Sequence, residues 1–318
     1  MKKQRWMIAL LGSVLLTWAC ESEDQEDQVE QVITDDINAV GHYFSFTAED
    51  FVETYDIALT YQTVPNPAFV VKLNAAAAIY AFVDTLGEFD TATRPSGGFR
   101  ADSTDSLLIG DQWYTYNPIS HTIDTKGHVY FVRGADYVWS KVSLDGASQG
   151  AYSFTYAIEQ TDGSYSASQS ETNLSASAAP VYYDFSLGNA VTPGEWHLGF
   201  VTIPVTDPGS GITYYMPSVL TNYEDGAQVG VITDQKFDDV DSVPVDITWL
   251  EENADTRWLG YGGTYEVLTY HPEPPYNHKV IVEHPDYVYI VDTGDGEYFK
   301  LRFVDYDSGI LLMEYVGL

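Results

Sequence analysis

The sequence predicts an all-β protein made of two tandem β-rich domains. Three observations predict it. The 318 residues include 25 Tyr, 14 Phe and 7 Trp, and aromatic and β-branched residues favour strands. Short runs of such residues are punctuated by turn signals along the chain. A block in the C-terminal half repeats a block in the N-terminal half without a gap.

The strand-like runs include Val129 to Arg133, Lys141 to Leu144, Tyr152 to Tyr156, Tyr287 to Asp292, Tyr298 to Val304 and Ile310 to Val316. Gly134-Ala135-Asp136, Gly294-Asp295-Gly296 and Asp307-Ser308-Gly309 separate them as turns. No long segment carries a helical apolar period. Asn74 to Ala78 has helix propensity, but its flanks, Phe69-Val70-Val71 and Ile79-Tyr80, read as strand.

The repeat is clearest near the end of each copy. Val129-Tyr130-Phe131-Val132 aligns with Val288-Tyr289-Ile290-Val291, and Lys141-Val142-Ser143-Leu144 with Lys300-Leu301-Arg302-Phe303. Gly150 falls on Gly309 and Tyr156 on Tyr315. Weaker matches lie upstream. Tyr43 to Phe46 pairs with Tyr182 to Phe185, Tyr55 to Leu59 with Trp196 to Phe200, Phe89-Asp90 with Phe237-Asp238, and Trp113 to Tyr116 with Trp258 to Tyr261. The expected domains are residues 40–160 and 181–318, joined by a Ser/Ala-rich, nearly structureless linker over 161–180.

The N-terminus reads as an address. Lys2, Lys3 and Arg5 precede a short apolar run from Trp6 to Leu16, too short to span a bilayer, so residues 1–19 are expected to be a signal peptide. The single cysteine, Cys20, follows Ala19 and is the expected lipidation site, although Thr17 loosens the lipobox. One cysteine excludes an internal disulfide and a thiolate cluster. Residues 20–39 are expected to form an acidic tether, and the run Glu21 to Asp27 cannot bury apolar area. That run resembles the acidic export signal of surface lipoproteins of the Bacteroidetes. The resemblance implies a lipid-anchored, outward-facing place on the outer membrane; a plain solvated tether is the alternative.

Asp and Glu number 47 against 14 Lys and Arg, giving a formal net charge of −33. Such a surface repels phosphates and excludes nucleic acid as a partner. The sequence holds no G-x-S-x-G, no H-E-x-x-H and no phosphate loop, so no enzyme activity is expected. Asp234, Asp238, Asp239 and Asp241 cluster without EF-hand spacing and read as a solvated loop.

Several motifs in this order resemble the HmuY family of Bacteroidetes outer-membrane lipoproteins. They are Tyr43 to Phe46, Asp56-Ile57-Ala58-Leu59, Leu73-Asn74-Ala75-Ala76, Trp113-Tyr114-Thr115-Tyr116-Asn117 with His121, Tyr130 to Arg133, Phe237-Asp238 with Pro244, and Tyr298 to Phe303. Ala75-Ala76 stands where the family has Gly-Gly, and Tyr55 where it has tryptophan. The resemblance implies an all-β, haemophore-like protein that holds haem b between two axial side chains and hands it to an outer-membrane TonB-dependent transporter. The candidate iron ligands are His121, His278 (its counterpart in the second copy), His271 in the inserted loop, and Met216, the best thioether. No other metal is implied. Arg133, Lys141, Lys279, Lys300 and Arg302 are the bases available to pair propionates. Two other classes stay open: a structural or protein-interaction module without haem binding, and a glycan-binding surface protein using exposed Tyr and Trp.

Overall fold

The computed structural model describes residues 28–63 and 68–318. The expected signal peptide, Cys20 and the run from Glu21 to Asp27 lie outside the described residues. Within them the chain is all β, with two single-turn 3-10 helices at Tyr223–Asp225 and Phe237–Asp239.

The N-terminal segment carries β1 (Glu30–Ile33), β2 (His42–Ser45) and β3 (Asp50–Val52). The chain continues through β4 (Ile57–Gln62), β5 (Ala68–Leu73), β6 (Tyr80–Asp84), β7 (Tyr114–Asn117), β8 (Thr122–Thr125), β9 (Val129–Arg133), β10 (Trp139–Ser148) and β11 (Ala151–Ile158). A second series begins with β12 (Gln169–Ser175), β13 (Val181–Asp184) and β14 (Asn189–Val191). It goes on through β15 (Leu198–Thr206), β16 (Thr213–Thr221), β17 (Gln228–Ile232), β18 (Trp249–Leu250), β19 (Leu268–His271) and β20 (Lys279–Val282). It ends with β21 (Val288–Asp292), β22 (Tyr298–Asp307) and β23 (Ile310–Gly317).

Alternation explains most of these strands. In β11, Tyr152, Phe154 and Tyr156 are buried while Ser153 and Thr155 face outward at half exposure, which is the period-2 pattern of a sheet with one wet face. β9 is buried at every position because both its faces are covered: Tyr130 and Val132 enter the larger core, and Val129 and Phe131 pack with Ala92, Phe82 and Trp139 on the other face. Asn74 to Ala78 forms a buried turn between β5 and β6. Ala78 there has a positive φ, and the Asn74 side chain accepts from the Ala77 N–H at 3.2 Å.

Two bodies result, and their strand orders match. One contains the sheets β12-β11-β10-β9-β6 and β14-β13-β4-β5. The other contains β1-β23-β22-β21-β17-β18 and β3-β2-β15-β16. Registers match as well. Tyr80 opposes Arg133 as Gln228 opposes Asp292, and Ile57 opposes Leu73 as Leu198 opposes Thr221. The β10–β11 ladder breaks between Leu144 and Gly146, and the β22–β23 ladder breaks at the aligned place, between Phe303 and Asp305.

Pairing crosses the boundaries expected at 40–160 and 181–318. β2 and β3 pair with β15 of the C-terminal half, while β13 and β14 pair with β4 of the N-terminal half. Accordingly Phe44 and Phe46 enter one core with Phe200, Phe303 and Tyr315, and Tyr183 and Phe185 enter the other with Tyr152 and Phe154. The stretch expected as a linker is in part strand: β12 pairs along β11, because its backbone satisfies the open edge of that sheet despite its Ser-rich composition. The upstream match of Trp113 to Trp258 does not hold in space. The Lys126 N–H donates to Trp113 O as the Glu283 N–H donates to Val267 O, so Trp113 corresponds to Val267 at the base of a hairpin.

Candidate functional site

Two hairpins stand at equivalent places. β7–β8 packs beside β10, and β19–β20 packs beside β22. In each, a tyrosine is the third residue of the outgoing strand and a histidine immediately precedes the return strand. Both histidines have positive φ, 56° at His121 and 66° at His278. Both put Nδ1 within hydrogen-bond distance of the tyrosine hydroxyl: His121 with Tyr116 at 2.8 Å, His278 with Tyr270 at 2.5 Å. The counterpart relation expected between His121 and His278 therefore has a geometric basis. When Nδ1–H donates to the tyrosine oxygen, Nε2 keeps its lone pair free for a metal.

The second hairpin borders a substantial cleft. A cavity of about 740 Å³ lies between the first half of β16 (Tyr215, Met216, Pro217), the β19–β20 hairpin (Tyr270, Tyr276, His278, Lys279, Ile281) and the turn Asp305 to Gly309, and Asn38 also lines it. Met216 and His278 thus line one space. Met216 lies in the strand at half exposure and His278 on an exposed turn. The first body lacks the thioether: five residues before Leu73 stands Ala68, where five before the equivalent Thr221 stands Met216. It also has Thr122 where the second hairpin has Lys279.

His271 ends β19 and does not line the cleft. Its Nε2 is 2.6 Å from a Glu283 carboxylate oxygen, and the Tyr276 ring lies against it at 4.9 Å. It fastens the loop that carries Tyr276 and His278. His121 is exposed on its turn and does not border this cleft. Among the described residues, no group of three or more His, Cys, Asp or Glu is placed to hold a metal ion, which includes Asp234, Asp238, Asp239 and Asp241.

Four of the five bases considered for propionate pairing are committed elsewhere. Lys141 and Lys300 are buried equivalents that donate to backbone carbonyls, Lys141 to Ala92 at 3.4 Å and Lys300 to Phe237 at 3.1 Å and Val240 at 2.8 Å. Each ammonium sits 4.8 Å from a phenylalanine ring centre, Phe89 and Phe237 respectively. Burial depresses the Lys141 pKa. Arg133 is buried against β15, donating to Thr202 O at 2.8 Å and Thr202 Oγ1 at 2.7 Å. Arg302 pairs with Glu314 at 2.6 Å. Lys279 alone among the five lines the cleft.

The donor set of the cleft fits haem. A thioether and an imidazole are the side chains that fill iron's two axial positions. The Tyr270 hydroxyl at His278 Nδ1 stands where the outer hydrogen-bond partner of a metal-bound imidazole would stand. Tyr215, Tyr276 and Ile281 offer apolar faces, and Lys279 offers one charge for a propionate. Asp305 and Asp307 line the same cleft and add negative charge to it.

Sequence reasoning named Met216 and His278 separately and missed Tyr270, whose spacing from His278 differs from that of Tyr116 from His121 because the second loop is longer. It also missed Asn222. Asn74 Nδ2 donates to Tyr55 O at 3.1 Å, and Asn222 Nδ2 donates to Trp196 O at 2.9 Å, so the turn asparagine is present in both bodies.

Residues 176–310 match the model of a protein family described as HmuY protein. The matched stretch begins just after β12, reaches the first residue of β23 and contains the whole cleft hairpin. No curated protein matches the chain.

Proposed function

We propose that this chain is a non-enzymatic, cell-surface lipoprotein whose second body takes up haem or a related planar ligand. The single observation that carries the proposal is the meeting of Met216 and His278 on one aromatic-walled cleft, within the stretch that matches the HmuY family. In this reading Met216 Sδ and His278 Nε2 hold the iron, Tyr270 orients the imidazole and Lys279 pairs a propionate. His271 braces the loop through Glu283, and His121 takes no part. The two bodies derive from duplication of one unit, which the matching registers and bulges support. Cys20 anchors the chain in the outer membrane, facing outward, and the cargo passes to a TonB-dependent transporter.

Titration of the purified mature chain with hemin tests this. A Soret shift that saturates at one equivalent is expected, and Met216→Ala or His278→Ala should each weaken it. No shift at micromolar hemin would remove the proposal.

The exposed Tyr215 and Tyr276 at the same cleft favour one second reading, stacking against a sugar ring. It predicts a tryptophan or tyrosine fluorescence change with polysaccharide and none with hemin.

A further inference from the structure

Residues 28–53, which carry β1 to β3, act as a clasp on the second body, while β12 to β14 clasp the first. The two clasps sit identically. Phe44 opposes Leu198 as Tyr183 opposes Ile57, and Glu30 opposes Tyr315 as Gln169 opposes Tyr156. The N–H of Phe46 donates to His197 Nδ1 at 3.0 Å, and the N–H of Phe185 donates to Asp56 Oδ2 at 2.9 Å. A clasp is thus held by ladder hydrogen bonds and aromatic burial, neither of which depends on which chain supplies it.

We infer that the clasp exchanges between molecules, so that the partner fitted by the β15 and β23 edges is a second copy of this chain. The geometry of the crossovers supports this. Residues 53–56 carry the chain from the second body to the first, and 192–197 carry it back. They pass each other where the Gly194 N–H donates to Glu53 O at 2.9 Å. Opening the crossover only at 192–195, ahead of the buried Trp196 and His197, costs the Gly194–Glu53 bond and leaves residues 28–191 with the ladder and core contacts they now make, the partner's 196–318 replacing their own. The bonds that Thr202 makes with the first body then form between molecules: Arg133 to Thr202 O at 2.8 Å, and the Thr202 N–H to the Tyr137 hydroxyl at 2.6 Å. Closed monomer and exchanged dimer differ mainly in the crossover and in the entropy of association, so protein concentration during folding selects between them.

Two variants of the full chain, both carrying Cys20→Ser, provide the test. One adds Gln31→Cys and the other Glu314→Cys, at positions that oppose each other with their side chains 2.9 Å apart. An equimolar mixture is unfolded, refolded at low and at high concentration, oxidised and run without reductant. A band linking one of each chain, increasing with concentration, is expected. The Gln31→Cys chain should not link to a chain carrying Ser164→Cys on an exposed loop. Equal linkage to both would signify collision and overturn the inference. So would a mixture that yields no linked pair while the Cys20→Ser chain refolds only to monomer by light scattering at the high concentration.

Discussion

His197 occupies in the second body the place that Asp56 occupies in the first. Each is the residue just before the first inner strand of its body, each is buried, and each accepts the backbone N–H of a clasp phenylalanine, Phe46 or Phe185. Their backbones match too: the His197 N–H donates to Phe44 O as the Asp56 N–H donates to Tyr183 O. The chemistry differs in sign. Burial, reinforced by Asp184, pushes the Asp56 carboxyl up to about 7, whereas burial pulls the His197 imidazole below its ordinary value of 6.5.

Stability should therefore depend on pH in opposite directions at the two clasps. His197 is neutral when folded. Its contribution is present above pH 6.5 and is lost as pH falls through that value towards its lower native one. Asp56 contributes most below 3.8, and its contribution is lost as pH rises through about 7. His197→Asn keeps an acceptor for Phe46 and removes the titration. Urea unfolding at pH 5 and pH 8 should show a smaller acid loss in this variant than in the wild type.

Ligand stoichiometry should be one per chain. The first body offers His121 and Tyr116 but has Ala68 and Thr122 in place of Met216 and Lys279. His121→Ala should leave hemin titrations unchanged, while His278→Ala and Met216→Ala each change the bound spectrum. A second equivalent bound with a Soret shift that His121→Ala abolishes would contradict the assignment.

Tyr270→Phe removes the hydroxyl that bonds His278 Nδ1 and leaves the ring in place. Loss of such an outer partner typically weakens metal affinity by about 10–100-fold. Hemin competition assays should show a loss in this range without a change in the unfolding midpoint, because the pair is exposed.

A fragment of residues 54–192 should unfold cooperatively, since it contains β4 to β14 and so both complete sheets of the first body. Within it, Phe185→Ala should cost about 3–5 kcal/mol, the range for emptying a buried aromatic site. Chemical denaturation of the two fragments would measure this. A fragment of 40–160, matching the apparent sequence repeat, lacks β12 to β14 and should be less stable.

Much of the fold can be read along the chain. Strand-forming runs, turns and the gapless repeat from β9 to β11 into β21 to β23 follow from alternation and turn chemistry. The site is less legible. Met216 and His278 are individually conspicuous, as are His121 and His271, and nothing local separates the pair that meets from the pair that does not. Tyr270 escapes notice because an inserted loop changes its distance from its histidine.

What the sequence determined by itself is the inventory: all-β elements, their order, their duplication in pattern and the identity of the side chains able to bind. Tertiary structure alone decided which clasp closes which body, that Lys141, Lys300 and Arg133 are consumed by buried carbonyls and a threonine, and that one cleft unites a thioether with an imidazole. The reason is physical. Strand periodicity specifies which face of a strand is buried, but the backbone ladder is the same for every partner, so the choice of neighbour is made by the closure of the whole chain.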